Sequence, residues 1–172
     1  MEILEIQKVD LASFCYLNKD RYPFLLESVN HNNNNRYSIL FAFPGESIVL
    51  RNFSDFDFLS ELEKQFKSNN LKTNLPFSGG WFVYLSYELI GQIEPILSKE
   101  LRTSELPIAY AVEIPSAIII DHKFNNTYLI DQDSNQNRID TILKDIELIK
   151  PIPDKSIPVS YTHLTLPTIL LV

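Results

Sequence analysis

The sequence predicts an α+β domain: a largely antiparallel β-sheet with about two or three flanking helices. Strand-like runs outnumber helical ones, with about seven or eight of the former against two clear examples of the latter. Turn signals such as Pro44-Gly45 and Asn125-Asn126 separate many of those runs. The chain contains no internal repeat.

Residues Glu2 to Lys8 alternate apolar and polar, as a half-buried strand does. Asp10 is placed to cap a short helix through Leu11, Phe14 and Cys15. A second strand runs from Tyr22 to Ser28, with Pro23 at its start, where a missing N–H costs least. Asn30 to Asn35 form a polar loop, since asparagine tolerates left-handed backbone and adds nothing to a core. Strands then follow at Tyr37–Phe43 and Ser47–Leu50, and the Pro44-Gly45 turn predicts that these two pair as a hairpin.

A helix is predicted from Ser54, with Asp57 three residues on in a capping-box-like position. Phe58, Leu59, Leu62 and Phe66 recur at helical spacing, Glu63 and Lys67 form an i, i+4 pair, and Asn69-Asn70 ends the helix. The run Trp81 to Leu85 is continuously apolar, which predicts a strand covered on both faces. Gly79-Gly80 before it permits close approach of a backbone or a ring. A helical turn from Tyr87 to Ile93 precedes Pro95, and strands at Leu106–Glu113 and Ala117–Asp121 are separated by Pro115. Asn125-Asn126 turns into a strand over Thr127–Ile130, and Ile139, Ile142, Leu143, Ile146 and Ile149 mark a final amphipathic helix.

Bulk properties narrow the function classes. The 172 residues suit one domain, or a domain plus a tail. A net charge of −7 and the lack of any Lys/Arg run argue against a nucleic-acid binder. No apolar stretch approaches the length of roughly 20 residues that a membrane span needs. Met1 to Asp10 have no signal-peptide core. The expected location is the cytoplasm. Cys15 is the single cysteine and lies between Phe14 and Tyr16, which predicts a buried structural thiol.

Catalytic patterns are absent. The four glycines build no phosphate loop or dinucleotide fingerprint. His31, His122 and His163 are too scattered for a triad or a metal site. Asp131 to Asn137 has alternating oxygen ligands, but Gln136 stands in place of the required glycine and Ile142 in place of the bidentate Glu, so a solvated turn is expected. Glu88 and Glu94 could form a carboxylate pair, yet Glu88 fits better as a helix-start carboxylate. From the residues alone, this is an α+β domain with a possible ligand site and no catalytic machinery.

Three blocks carry a resemblance: Arg21-Tyr-Pro-Phe-Leu-Leu-Glu-Ser28, Leu75 to Pro95 with Gly-Gly-Trp-Phe-Val-Tyr-Leu-Ser-Tyr-Glu at its centre, and Leu106-Pro-Ile-Ala-Tyr-Ala111 continuing to Ile120-Asp-His122. In order and spacing they resemble the N-terminal domain of the chorismate-utilising aminases. That family includes anthranilate synthase component I and aminodeoxychorismate synthase component I, and the middle block is more similar to the aminodeoxychorismate form. The resemblance spans residues 1–158. Residues 159–172 read as a non-native tail similar to a translated sequencing adapter, and the catalytic chorismate-binding domain of the family has no counterpart in the chain.

The resemblance implies an enzyme that, with a glutamine amidotransferase subunit, converts chorismate to 4-amino-4-deoxychorismate for 4-aminobenzoate and folate synthesis. Mg2+ and the catalytic residues would belong to the chorismate-binding domain, so this chain alone is expected to be inactive and to hold no cofactor. The alternatives are an anthranilate synthase fragment and a non-catalytic tryptophan-binding module. The resemblance also implies a tryptophan-like pocket at Ser28, Asn34, Asn35, Arg36 and Tyr37. A zwitterion needs a donor and an acceptor, and an indole needs an apolar slot, for which Ser28 and Tyr37 are suitable residue types.

Overall fold

Two antiparallel sheets share one chain that crosses between them twice. The computed structural model describes residues 1–28, 36–66, 73–94, 96 and 105–149. Its elements are β1 (Glu2–Ile6), α1 (Leu11–Leu17), β2 (Phe24–Leu26), β3 (Tyr37–Ala42), β4 (Ser47–Leu50), α2 (Phe58–Gln65), β5 (Gly80–Leu85), a 3-10 turn (Tyr87–Leu89), α3 (Ile90–Ile93), β6 (Ala109–Ile114), β7 (Ser116–Asp121), β8 (Asn126–Asp131) and α4 (Gln136–Leu148). One sheet has five strands in the order β1-β8-β7-β3-β2, and the other has three in the order β4-β6-β5. The expected α+β class with antiparallel sheet and flanking helices is what the chain adopts. The expected limit at residue 158 and the tail beyond it lie outside the described residues, as do Lys67, Asn69, Asn70, His31 and His163.

The alternation of side chains along β3 explains the layering. Leu40 and Ala42 point to a helix-side core with Leu11, Phe14, Ile118, Leu129, Ile139 and Ile142. Ile39 and Phe41 point the other way, toward Phe24, Phe82, Val112 and Ile114 of the facing layer. Strand β7 lies between β8 and β3 and is buried along its whole length, which its unbroken Ala117–Ile120 run requires. A second core, built on Leu50, Phe58, Leu89 and Ala111, packs α2 on the outer face of the smaller sheet.

The sheets meet through aromatic rings, whose offset and edge-on contacts are the favoured geometries. Phe24 stacks on Phe82 with centroids 4.0 Å apart and planes 5° from parallel. Phe41 meets Phe77 edge-on at 5.1 Å. Phe41 also meets Phe82, with centroids 5.5 Å apart.

The expected β3–β4 hairpin does not form. Strand β3 pairs with β2 and β7, whereas β4 pairs with β6 in the other sheet. Phe43 adopts a φ of 58°. This left-handed turn leads the chain out of the first sheet. Strands β6 and β7 cross the same corner in the opposite sense, with Pro115 between them. The Gly45 N–H donates to the Glu113 carbonyl at 2.8 Å where the two connections pass. Pro44-Gly45 is thus a sheet-to-sheet corner.

A second correction concerns β5. Its run predicts cover on both faces, yet Val83 is 40%, Tyr84 37% and Leu85 50% exposed, where β5 pairs with β6 alone among the described residues. Gly79 has φ +100°, and a Cβ there would fall 2.0 Å from the Gln132 side chain. The close approach expected at Gly79-Gly80 therefore comes from a side chain, at a backbone conformation that glycine alone adopts freely.

Helix starts follow the capping rules. Asp10 accepts from the Ser13 N–H at 3.1 Å, and Asn135 accepts from the N–H groups of Asn137 and Arg138. Helix α2 is capped by Asp57, which accepts from Ser60 N–H, and so begins after the Ser54 start read from the sequence. Gln92 of α3 ties this helix down: its Oε1 accepts from Phe58 N–H at 3.0 Å and its Nε2 donates to the Phe56 carbonyl at 2.6 Å.

Phe41 is 5% exposed and sits at the centre of the seam between the sheets. Phe41→Ala is expected to cost ~3–5 kcal/mol of unfolding free energy, measured by urea denaturation.

Candidate functional site

Ser28, Arg36 and Tyr37, three of the five residues singled out by resemblance, lie where β2 ends and β3 begins. The Ser28 hydroxyl donates to the Tyr37 carbonyl at 2.7 Å, and the Ser28 N–H donates to Ser38 Oγ at 3.0 Å. Ser38 Oγ lies 2.8 Å from His122 Nε2. The Ser38 hydroxyl can accept from Ser28 and still either donate to or accept from the imidazole, according to the His122 tautomer. Ser38 is 1% exposed, so this Ser–His pair is closed to a substrate and serves the strand junction.

Arg36 forms a two-pronged pair with Asp121 at the end of β7, the geometry that a planar guanidinium and a carboxylate favour. Its Nε lies 2.9 and 3.0 Å from the carboxylate oxygens and an Nη 2.5 Å from one of them. Its guanidinium carbon lies 4.7 Å from the Tyr37 ring centroid and 5.0 Å from that of Phe124. Both distances suit attraction between a cation and a ring face. Arg36, Tyr37, Leu75, Phe124 and Tyr128 border a cleft of about 690 Å³. The structure therefore joins Ser28, Arg36 and Tyr37 through β3 but commits the Arg36 charge to Asp121. Asn34 and Asn35 lie outside the described residues.

Leu26 and Tyr84, two residues beyond Phe24 and Phe82 on their strands, are 52% and 37% exposed.

Three carboxylates are held by cations, and each anchors an element end. Arg36 keeps Asp121 below the usual carboxylate range, against the opposing effect of burial, with help from the N–H groups of Lys123 and Phe124. Burial would raise Asp131, but Arg138, the Asn135 N–H and the Ser116 hydroxyl outweigh it and hold the group low. Asp145, on the apolar stripe of α4, accepts from Arg21 at 2.5 Å and from the Tyr22 hydroxyl at 2.6 Å. Burial and that carboxylate push the Tyr22 phenol well above its ordinary value.

Among the described residues, no three His, Cys, Asp or Glu side chains are grouped to hold a metal ion. The Asp131–Asn137 turn has its leading carboxylate engaged by Arg138 and Ser116. Cys15 is half-buried, and burial pushes its thiol up, away from nucleophile behaviour. Glu88 is the second residue of the 3-10 turn, and its carboxylate is held below the usual range with help from its own backbone N–H, in keeping with a helix-start carboxylate. No described helix is long and apolar enough to cross a membrane.

Asp121, Phe124 and Tyr128 were not singled out as site residues from the sequence. The Asp121-His122 ending of the third block was the available signal. Asp145 also had one, since it interrupts the apolar stripe of Ile142, Ile146 and Ile149 with a carboxylate.

No protein-family model matches the chain, and neither does any curated protein. The solved structures define a class: an anthranilate synthase component I-like α+β fold. The chain is similar to the crystal structure of anthranilate synthase component I from Streptococcus pneumoniae TIGR4, with TM-score 0.54 and 23% identity. The match covers 86% of this chain and 38% of that one, so this chain spans well under half the length of that relative.

Asp121 and Asp131 have folded-state pKa values below those of the unfolded chain, so the unfolded state takes up protons first on acidification. Stability is expected to be level above about pH 5 and to fall below about pH 4. Arg36→Gln removes the Asp121 contribution, giving lower stability at neutral pH and a shallower acid decline, both read from urea unfolding across pH.

Proposed function

We propose that this chain is the N-terminal, non-catalytic lobe of a chorismate-utilising aminase of the aminodeoxychorismate synthase component I type. Its role is to support a chorismate-binding domain that carries Mg2+ and the reacting groups. A glutamine amidotransferase subunit would supply ammonia, and the product would be 4-amino-4-deoxychorismate, the precursor of 4-aminobenzoate and folate. The fold correspondence over 86% of the chain is the observation that carries this reading. The three sequence blocks add to it, because they fall on the parts that join the layers: β2, the segment from Leu75 through α3, and the β6–β7 corner. The Gly-Gly-Trp-Phe-Val-Tyr-Leu form of the middle block favours the aminodeoxychorismate product over anthranilate.

We further propose that the junction of β2 and β3 takes a tryptophan-like amino acid. The cleft along Tyr37, Phe124 and Tyr128 would hold the indole, with Ser28 supplying a polar contact from the end of β2. Tyr37 would border it, while Arg36 acts indirectly, by pinning β3 to β7 through Asp121.

Mixing the chain with the isolated catalytic domain of an aminodeoxychorismate synthase component I and its amidotransferase tests the first proposal. Increased chorismate amination, detected as 4-aminobenzoate after lyase coupling, is expected. Anthranilate as the product would move the assignment to the other branch, and no association with the catalytic domain would refute the supporting role. For the pocket, calorimetry with L-tryptophan is expected to give saturable heat, weakened about tenfold by Ser28→Ala. No heat with the unaltered chain would remove the pocket.

A further inference from the structure

One hydrogen-bond chain in this fold has a direction that a single proton can reverse. At the junction of β2, β3 and β7 the Ser28 N–H donates to Ser38 Oγ at 3.0 Å, and Ser38 Oγ lies 2.8 Å from His122 Nε2. Ser38 is 1% exposed, so solvent does not stand in for a partner it loses. Among the described residues its hydroxyl bonds to these two groups alone. A hydroxyl has one proton to give and two lone pairs to accept with. A neutral imidazole can carry its proton on Nδ1 and leave Nε2 to accept from Ser38, which in turn makes Oγ a better acceptor for Ser28. An imidazolium donates from both nitrogens and has no such choice. Its Nε2–H then competes with the Ser28 N–H for Oγ as the stronger, charge-assisted donor. The Ser38 proton is left without an acceptor in a closed place, which is costly.

We propose that His122 is a proton-operated latch, which fastens the end of β2 to β3 while its imidazole is neutral and loosens it when the imidazole is protonated. Imidazole is the side chain that ordinarily changes charge between about pH 5 and 8. The other charges of this corner are already placed. Arg36 and Asp121 are paired with each other. Lys123 turns to the Phe124 ring, with Nζ 5.4 Å from its centroid, and Glu27, next to Ser28 in the chain, is exposed. The connection between Ser28 and Arg36 has His31 as its one titratable side chain. Two bonds survive the change: the Ser28 hydroxyl donates to the Tyr37 carbonyl at 2.7 Å, and the His122 N–H donates to the Arg36 carbonyl at 2.8 Å. The end of β2 therefore loosens without leaving the sheet. The latch is a property of the junction and depends on neither the enzymatic reading nor the amino-acid pocket.

Solution NMR of the full chain from about pH 8 down to about pH 5 tests it. The carboxylate contribution to stability is level in this window, so a change here is read apart from it. Protection of the Ser28 amide against hydrogen exchange, corrected for the intrinsic rate, is expected to fall at least about fivefold, the factor for leaving one buried hydroxyl unpaired. The midpoint is expected to coincide with the titration of the His122 imidazole, assigned through its own backbone. In His122→Gln, whose amide oxygen can accept from Ser38 at every pH, protection is expected to stay level. His31→Gln is expected to leave the fall in place. Ser28 protection that stays level while His122 titrates, that falls equally in His122→Gln, or that follows His31 instead would each overturn the proposal. So would an imidazole that stays neutral until acid unfolds the chain. The first measurement is made on the unaltered chain and so stands even if His122→Gln fails to fold.

Discussion

The packing of Phe24 and Phe41 against Phe77 and Phe82 is the contact on which the rest of the structure depends. A three-stranded sheet with one helix is a marginal unit, and the five-stranded sheet has an apolar second face that must be covered. Interleaved rings meet both needs at once. Strand β2 shows the economy of the arrangement: Phe24 enters the aromatic seam, while Leu25 packs on the opposite side against the helix-side core. A three-residue strand thereby takes part in two layers. The crossovers at Phe43–Gly45 and Pro115 make the seam obligatory, because they carry the same chain from one sheet into the other at a single corner.

Buried charge sets the element ends that this packing leaves free. Asp145 ties α4 to Arg21 and Tyr22 at the start of β2, Asp131 ties the end of β8 to Arg138 of α4, and Asp121 ties β7 to Arg36 before β3. Such pairs are costly to bury, and removing one partner leaves the other charge uncompensated, which destabilises the fold. The Arg36–Asp121 pair and the Ser28–Ser38–His122 chain hold the end of β2 and the start of β3 against β7.

Much of the local structure was legible from the residues. The Asp10 cap, the turn after Tyr87, the left-handed turn at Asn125 and the stripe of α4 all appear where short-range rules place them. The site was legible only in part. Ser28, Arg36 and Tyr37 came from motif resemblance, but nothing near Arg36 in sequence reveals that Asp121, 85 residues away, occupies its guanidinium. Asp145 was detectable as a carboxylate on an apolar stripe, whereas its partners Arg21 and Tyr22 were not.

The amino-acid sequence by itself determined the class of fold, the position of most elements and the lack of a recognisable catalytic motif, because periodicity, capping and turn chemistry act over a few residues. Only the tertiary structure decided which strands pair. Ala117–Ile120 and Trp81–Leu85 are equally apolar runs, yet among the described residues one is enclosed between two neighbours and the other pairs on one side. Likewise, Pro44-Gly45 carries the composition of a hairpin turn and serves as a corner between sheets. Strand order is set by contacts between residues far apart in the chain, and no local pattern encodes which face or neighbour a strand will meet.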